Sequence, residues 1–335
     1  MATERDDWLD NTKFILIVCV VLGHCLERLG VGATCYCSNS TMAFFRMPMF
    51  VFISGLFSRK KNKTRFLGFL SGITESYIIF STLHIICGLI SGGSFSIMQF
   101  IEPRWTLWYL LCVVIWRFII QVSEGKISPS LLLVFSVIVG LLSGFVPFYS
   151  ILSLQRAFSF APFFFLGYFC SCNKVDLRFL KKLHPLFSIA CFLLLIVICL
   201  ICYKTSFPLS SFLMAKHPYS FFANYPIWLV LLFRIIMYII CTIASVCMFS
   251  IIPEKRSWMS EEGKNTLLYY LYHPFFILGL SFLGKRIDLP SSLLACVVYT
   301  VLIIWTIRQV IKIKFFRDIP KLFTKLFSLI SSNSL

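Results

Sequence analysis

The sequence predicts an all-α, polytopic transmembrane helical bundle of about ten spans, with the N- and C-termini in the cytoplasm. Of its 335 residues, 59% are hydrophobic and 13% are charged, whereas soluble chains average roughly 45–50% and about 25%. The mean hydropathy is +0.87. Long apolar runs recur along the chain, and the charged residues collect between them. A soluble globule of this composition could not keep a wettable surface.

Each apolar run is long enough to cross a bilayer as a helix. Roughly 20 apolar residues span the hydrocarbon core, and only a helix satisfies its own backbone hydrogen bonds there. The first run is flanked by acidic rather than basic residues and is followed by nine others, so we interpret it as a retained span and not a cleaved signal peptide. The predicted spans are approximately residues 13–30, 42–58, 66–91, 105–122, 129–149, 156–172, 184–203, 225–251, 266–283 and 291–310.

The basic residues orient the spans. The chain has 31 Lys and Arg against 14 Asp and Glu, a net charge of +17. Most of the basic residues fall in alternate loops, such as 59–65 and 174–182, and in the C-terminal tail, whereas the opposite face holds few, including Arg46 and Arg156. The positive-inside rule therefore places both termini in the cytoplasm. No basic stripe with interleaved exposed aromatics is found, so nucleic acid is not an expected partner.

The chain divides into a membrane domain, residues 1–310, and a basic tail, residues 311–335. In the tail Arg317, Lys321 and Lys325 recur every four residues, with leucines offset from them. This pattern predicts an amphipathic helix on the anionic inner leaflet, so membrane lipids are expected partners; a protein-docking tail is the alternative. The outer segment 204–224 is too short to fold as a separate domain.

Most of the fourteen cysteines lie inside apolar runs, where a thiol is a small hydrophobic group. Two Cys-x-Cys pairs, Cys35/Cys37 and Cys170/Cys172, fall on opposite faces of the membrane in the predicted topology. They cannot share one metal ion, and no metal site is predicted.

The first span carries the most informative polar residues. Ionisable groups within a span are costly, so each is a functional hypothesis. His24 follows Lys13 by eleven residues, about 16 Å farther along a helix and rotated by only about 20°. Histidine is the natural general base near neutral pH. Glu27, one turn further, could orient the imidazole; alternatively, it forms an interfacial ion pair with Arg28.

Three further candidates lie within predicted spans. Glu75 and Arg234 fall at similar depth, about 13 Å from opposite faces, and either neutralise each other or contact a substrate. His273 lies in an aromatic stretch just before Pro274. That setting suits a ligand pocket, and a structural hydrogen bond at a proline kink explains it equally well.

Several motifs resemble those of one family. Trp8-Leu9-Asp10-Asn11-Thr12-Lys13 followed by Val21-Leu22-Gly23-His24 is similar to the first span of the acyltransferase 3 family of integral-membrane O-acyltransferases, and in particular to its fucose 4-O-acetylase-like branch. The chain departs from that family at Arg46, where a histidine is common, and at residues 71–77, which lack a basic cluster before Pro-Tyr. Further similar motifs, in the same order, are Met47 to Gly55, Leu107-Trp108-Tyr109-Leu110, Phe163 to Tyr168 and Tyr269 to Pro274.

This resemblance implies transfer of an acetyl group from acetyl-CoA to a sugar hydroxyl of a cell-surface polysaccharide or its lipid-linked precursor, at the plasma or inner membrane. Acetyl-CoA would be the acyl-donor substrate, and no bound cofactor is expected. Lys13 would contact the donor, and His24 with Glu27 would be catalytic. The candidate oxyanion or sugar contacts are Arg46, Ser54, Arg234 and His273. Glu75, within the third predicted span, is a further candidate for binding the substrate.

Two other classes of function stay open at the sequence level. One is a transporter or flippase for a lipid-linked sugar or small anion, with His24 as a proton relay. The other is a non-catalytic membrane partner in polysaccharide assembly. Only the enzyme would release free CoA thiol from acetyl-CoA.

Overall fold

The computed structural model describes residues 6–148, 151–284 and 286–322, and within them it contains helices and no β-strand. This confirms the predicted all-helical fold. The helices are α1 (Asp7–Leu29), α2 (Ala33–Ala43), α3 (Arg46–Leu56), α4 (Lys63–Ile90), α5 (Met98–Ile101), α6 (Trp108–Ser123), α7 (Pro129–Leu142), α8 (Leu154–Cys172), α9 (Pro185–Lys204), α10 (Leu209–Met214), α11 (Ile227–Ile251), α12 (Trp258–Gly263), α13 (Thr266–Leu283), α14 (Leu293–Val310) and α15 (Lys314–Asp318).

The long helices form a polytopic membrane bundle. In the described residues six of them, α1, α4, α9, α11, α13 and α14, are long and apolar enough to cross a bilayer, and α6 and residues 129–145 are shorter apolar helices. The two other predicted spans contain α3 and α8, so each of the ten predicted spans contains a helix. Large apolar side chains on the outside of α9, such as Leu193 and Leu194, are exposed as expected for lipid contact. Which end of the bundle faces the cytoplasm stays a prediction.

Helix α1 lies at the centre of the bundle and packs against α2, α3, α12, α13 and α14. The Asp6 carboxylate caps it by accepting hydrogen bonds from the backbone N–H groups of Trp8 and Leu9. The buried Asn11 amide donates to the carbonyls of Pro253 (2.8 Å) and Lys255 (3.0 Å). These contacts fix the register of α1 and therefore the positions of Lys13 and His24.

Helices α3 and α8 pack against each other at two glycines. A β-carbon at Gly55 would overlap the carbonyl of Phe164, and one at Gly167 would overlap the carbonyl of Phe52. Small residues at such crossings let two membrane helices approach backbone to backbone. This crossing holds the helix that begins with Arg46 against the rest of the bundle.

Two regions differ from the sequence prediction. The expected span 42–58 is broken after Ala43, and a separate helix, α2, precedes it. Buried Phe44 and Phe45 occupy the break, so packing decides a boundary that hydropathy does not reveal. The outer segment 204–224 folds onto the bundle through α10 and a small apolar cluster that includes Phe212, Tyr219 and Phe222.

The start of the tail also packs on the bundle. Tyr272 Oη donates to the Phe316 carbonyl at 2.7 Å, and Ser76 Oγ donates to the Pro320 carbonyl at 3.2 Å. Residues 323–335, including Lys325, lie outside the described residues. The amphipathic tail helix therefore stays a prediction.

Candidate active site

A cavity of about 510 Å³ opens beside His24, and we refer to it as the His24 cavity. It lies between α1, the α2–α3 pair, α8 and the segment 210–218. Its size is that of a small-molecule site. Its polar lining residues include His24, Glu27, Asn39, Arg46, Gln155, Arg156, Lys216 and His217.

Glu27 and the neighbouring rings hold the His24 imidazole. Nδ1 of His24 lies 3.1 Å from Oε2 of Glu27. An ionised carboxylate only accepts hydrogen bonds, so this contact places the proton on Nδ1 and leaves the Nε2 lone pair available as a base. The His24 ring stacks on His273 (5.5 Å between ring centres) and meets the edge of Trp105 (5.0 Å). Arg28 lies 5.9 Å from the Trp105 ring instead of pairing with Glu27.

A second cavity, of about 330 Å³, lies beside Lys13, and we refer to it as the Lys13 cavity. Lys13 Nζ forms an ion pair with Asp10 Oδ1 at 2.5 Å. Ser54 also lines this cavity, with its hydroxyl 2.5 Å from the hydroxyl of Tyr109. Arg117, Thr266 and Tyr270 complete the polar part of the lining.

The two cavities adjoin at the middle of α1. Val20 and Met47 line both of them. Lys13, Val20 and His24 are spaced by seven and four residues, which places them on one face of the helix. The cavities are therefore neighbours along α1, whose rise places Lys13 and His24 about 16 Å apart.

Arg46 reaches the His24 cavity over a glycine. Its Nη1 donates to Asn39 Oδ1 at 2.8 Å. A β-carbon at Gly23 would overlap the guanidinium group, so Gly23 provides the space in which Arg46 lies next to His24. The side chain is buried, at 7% exposure.

Three of the sequence candidates lie outside both cavities. His273 contacts the site through its stacking on His24 and through the Tyr270 ring, 6.0 Å away between ring centres. Its Nδ1 is 3.1 Å from the Tyr269 carbonyl, and its buried Nε2 has no partner among the described residues. The structure does not pair Glu75 with Arg234. The Arg234 guanidinium lies over the Tyr219 ring at 5.8 Å, whereas Glu75 is buried on α4, which packs against α6 and residues 319–321.

Sequence reasoning missed several lining residues. The sequence places Arg156 only at the outer boundary of a predicted span. In the structure it lies in the first turn of α8, where its Nε donates to the Met214 carbonyl (3.3 Å) and its guanidinium lies 4.8 Å from the Trp108 ring. Its neighbour Gln155 is 1% exposed. The one sequence feature that could have indicated Arg156 and Gln155 is a basic residue at the start of an apolar span.

The segment after α10 brings Lys216 and His217 into the same lining. Burial lowers the pKa of His217, and the nearby positive charges of Lys216 and Arg156 act in the same direction. His217 is therefore neutral at pH 7. No sequence pattern indicated these two residues, because a tertiary contact of the outer segment brings them there.

The family model described as "Acyltransferase domain", for the acyltransferase 3 family, matches residues 6–309. The chain belongs to the acyltransferase 3 family. It is a membrane acyltransferase, as the resemblance of its motifs predicted. Neither the curated proteins nor the solved structures contain a match to it. The assignment to the fucose 4-O-acetylase-like branch stays a prediction, as do the roles of the individual site residues.

Proposed function

We propose that this acyltransferase moves an acetyl group from acetyl-CoA to a sugar hydroxyl of a cell-surface polysaccharide or its lipid-linked precursor, in the plasma or inner membrane. One observation carries the proposal: Val20 and Met47 line both the Lys13 cavity and the His24 cavity, so the two cavities are adjacent. We infer that a donor bound at one end of α1 and an acceptor bound at the other react at the imidazole.

The donor binds in the Lys13 cavity. Acetyl-CoA is made in the cytoplasm, and its nucleotide end carries several phosphates, which pair with lysine and arginine. Lys13 and Arg117 provide those cations at the predicted cytoplasmic end. The apolar walls of the cavity, including Phe50, Ile53 and Val113, suit the uncharged pantetheine arm that carries the thioester toward His24.

The chemical step takes place in the His24 cavity. Nε2 of His24 removes the proton of the acceptor hydroxyl while its oxygen attacks the thioester carbonyl carbon. The carbon–sulfur bond then breaks, and the departing CoA thiolate takes the proton from the imidazolium, which restores neutral His24. Arg46 is the charged donor placed beside His24 for the oxyanion that forms on the carbonyl oxygen. The bundle limits access of water to the thioester and thus limits hydrolysis.

The test is release of free CoA thiol by purified protein supplied with acetyl-CoA and a bacterial-type surface glycan or lipid-linked sugar. His24→Asn should lower kcat by about 10²- to 10⁴-fold, the usual contribution of a general base. His184→Asn is the matched control, because His184 is exposed and caps α9 through its side chain, a role that asparagine retains.

Thiol release that is unchanged in His24→Asn would contradict the assigned base. Uptake of the sugar into vesicles without any thiol release would instead identify the protein as a transporter, with His24 as a proton relay.

A further inference from the structure

The His24 cavity holds more positive charge than the acyl-transfer step requires. Arg46, Arg156 and Lys216 line it, whereas Glu27 is the one carboxylate among its described lining residues. Glu27 is already bonded to His24. In the described part of the chain, neither arginine has a carboxylate within ion-pair distance, although both guanidinium groups are largely buried.

Arg156 and Lys216 both line the side of the cavity formed by α8 and the outer segment. Nε of Arg156 donates to the carbonyl of Met214, two residues before Lys216. The guanidinium plane lies over the Trp108 ring, which leaves its Nη groups as donors for a ligand. Arginine suits a buried site for a carboxylate or a phosphate, because its guanidinium can donate two parallel hydrogen bonds to two oxygens of either anion.

Gln155 adds a second, independent indication of a ligand. Its amide nitrogen donates to the Ser143 carbonyl at 3.2 Å, which fixes the amide group. Its Oε1 is buried with no hydrogen-bond partner among the described residues, and the side chain lines the cavity. A buried amide oxygen without a partner is costly, and a sugar hydroxyl would supply the missing donor.

We propose that the acceptor is an anionic sugar, whose phosphate or carboxylate binds Arg156 and Lys216 while one of its hydroxyls donates to Gln155. This proposal rests on the proposed function, because it names the class of the acceptor. The anion can come from the phosphate of a lipid-linked sugar or from the carboxylate of a uronic acid. A neutral glycan would leave the Arg156 guanidinium without an anionic partner.

Binding is measured as a change in the unfolding temperature of the purified full chain in detergent. The ligands are two anionic sugars, glucose 1-phosphate and glucuronate, and the neutral sugar glucose, all at matched ionic strength. A ligand that binds only the folded state raises the unfolding temperature in a concentration-dependent way. We expect at least one of the two anionic sugars to raise it and glucose to do so far less; which of the two acts more strongly identifies the source of the anion.

Substitutions locate the site. Arg156→Gln should weaken binding of the anionic sugar by about 10- to 100-fold, the loss of a charge-assisted hydrogen bond, and Arg156→Lys should recover part of it. Arg286→Gln is the matched control, because Arg286 is an exposed arginine that lies against Phe282, outside the cavity. Equal responses to glucose and to the anionic sugars, no response to any of the three, or undiminished binding in Arg156→Gln would each overturn the proposal.

Transfer kinetics separate this proposal from the proposed function. Arg156→Gln should raise the KM for the acceptor and not that for acetyl-CoA; a raised donor KM alone would assign Arg156 to CoA and overturn the anionic-acceptor site. The binding measurement requires no turnover. Anion binding without thiol release would therefore contradict acyl transfer alone, and thiol release without anion preference would contradict only the acceptor class.

Discussion

At the scale of single residues, Glu27 determines which nitrogen of His24 can act as the base. The 3.1 Å contact occupies Nδ1, and the rings of His273 and Trp105 hold the imidazole on two sides. A base held in one tautomer and one orientation has no reorganisation to undergo before it takes a proton.

Lys13 permits a prediction about the donor. Lys13→Ala should raise the KM for acetyl-CoA by about 10-fold or more, because a charge-assisted contact to phosphate is lost, while kcat changes much less. Lys13→Arg should retain most of the donor affinity. The measurement is the dependence of thiol release on acetyl-CoA concentration.

Lys182→Ala is the control, since Lys182 is an exposed lysine at the end of a short 3₁₀ helix, Leu177–Lys182, on the same predicted face. A donor KM that is the same in Lys13→Ala and in the unaltered protein would remove this role for Lys13.

The sequence predicts residue pairs along one helix better than it predicts residues that packing brings together. The spacing of Lys13, His24 and Glu27 follows from helical geometry alone, and the structure places all three in cavity linings. Gln155 and Lys216 come from elements distant in sequence. Hydropathy does not indicate which face of α8, or which end of the outer segment, packs toward α1.

At the scale of elements, the crossing of α3 and α8 depends on its two glycines. Gly167→Ala and Gly55→Ala each place a β-carbon against a backbone carbonyl that cannot move aside. We expect each to lower the free energy of unfolding by about 1–3 kcal/mol, the usual cost of overpacking. Thermal or denaturant unfolding in detergent measures it.

Gly279→Ala is the matched control within another long helix. Gly279 is exposed on α13 and has open space around it, so alanine there should be neutral or slightly stabilising. Equal stabilities for all three variants would show that α3 and α8 do not pack at these glycines.

The packing of α2 explains why one helix boundary escaped sequence prediction. Apolar runs locate ten helices because lipid requires them, but α2 is a mildly polar helix that lines the His24 cavity through Asn39 and Ser40. Its formation depends on packing against α1 and α9.

At the scale of the whole molecule, two adjacent cavities at different depths along α1 predict a reaction divided between the two faces of the membrane. The test uses proteoliposomes in which the protein has one orientation. Acetyl-CoA with a labelled acetyl group is added on the Lys13 side, and an acceptor already shown to be acetylated by the protein in detergent is added on the His24 side. We expect labelled ester in the acceptor on the His24 side and free CoA thiol on the Lys13 side. The two amounts should be nearly equal, because each transfer breaks one thioester and forms one ester.

Cleavage of a C-terminal tag by added protease establishes the orientation of the protein. Vesicles that contain the His24→Asn variant measure how much label crosses the membrane without catalysis. The contradicting result is acetylation of an acceptor supplied on the donor side together with no acetylation of an acceptor on the opposite side. It would mean that the thioester does not pass Val20 and Met47. Donor and acceptor would then have to share one cavity. The separation of the cations at Lys13 from those at Arg156 would in that case have no role in the transfer.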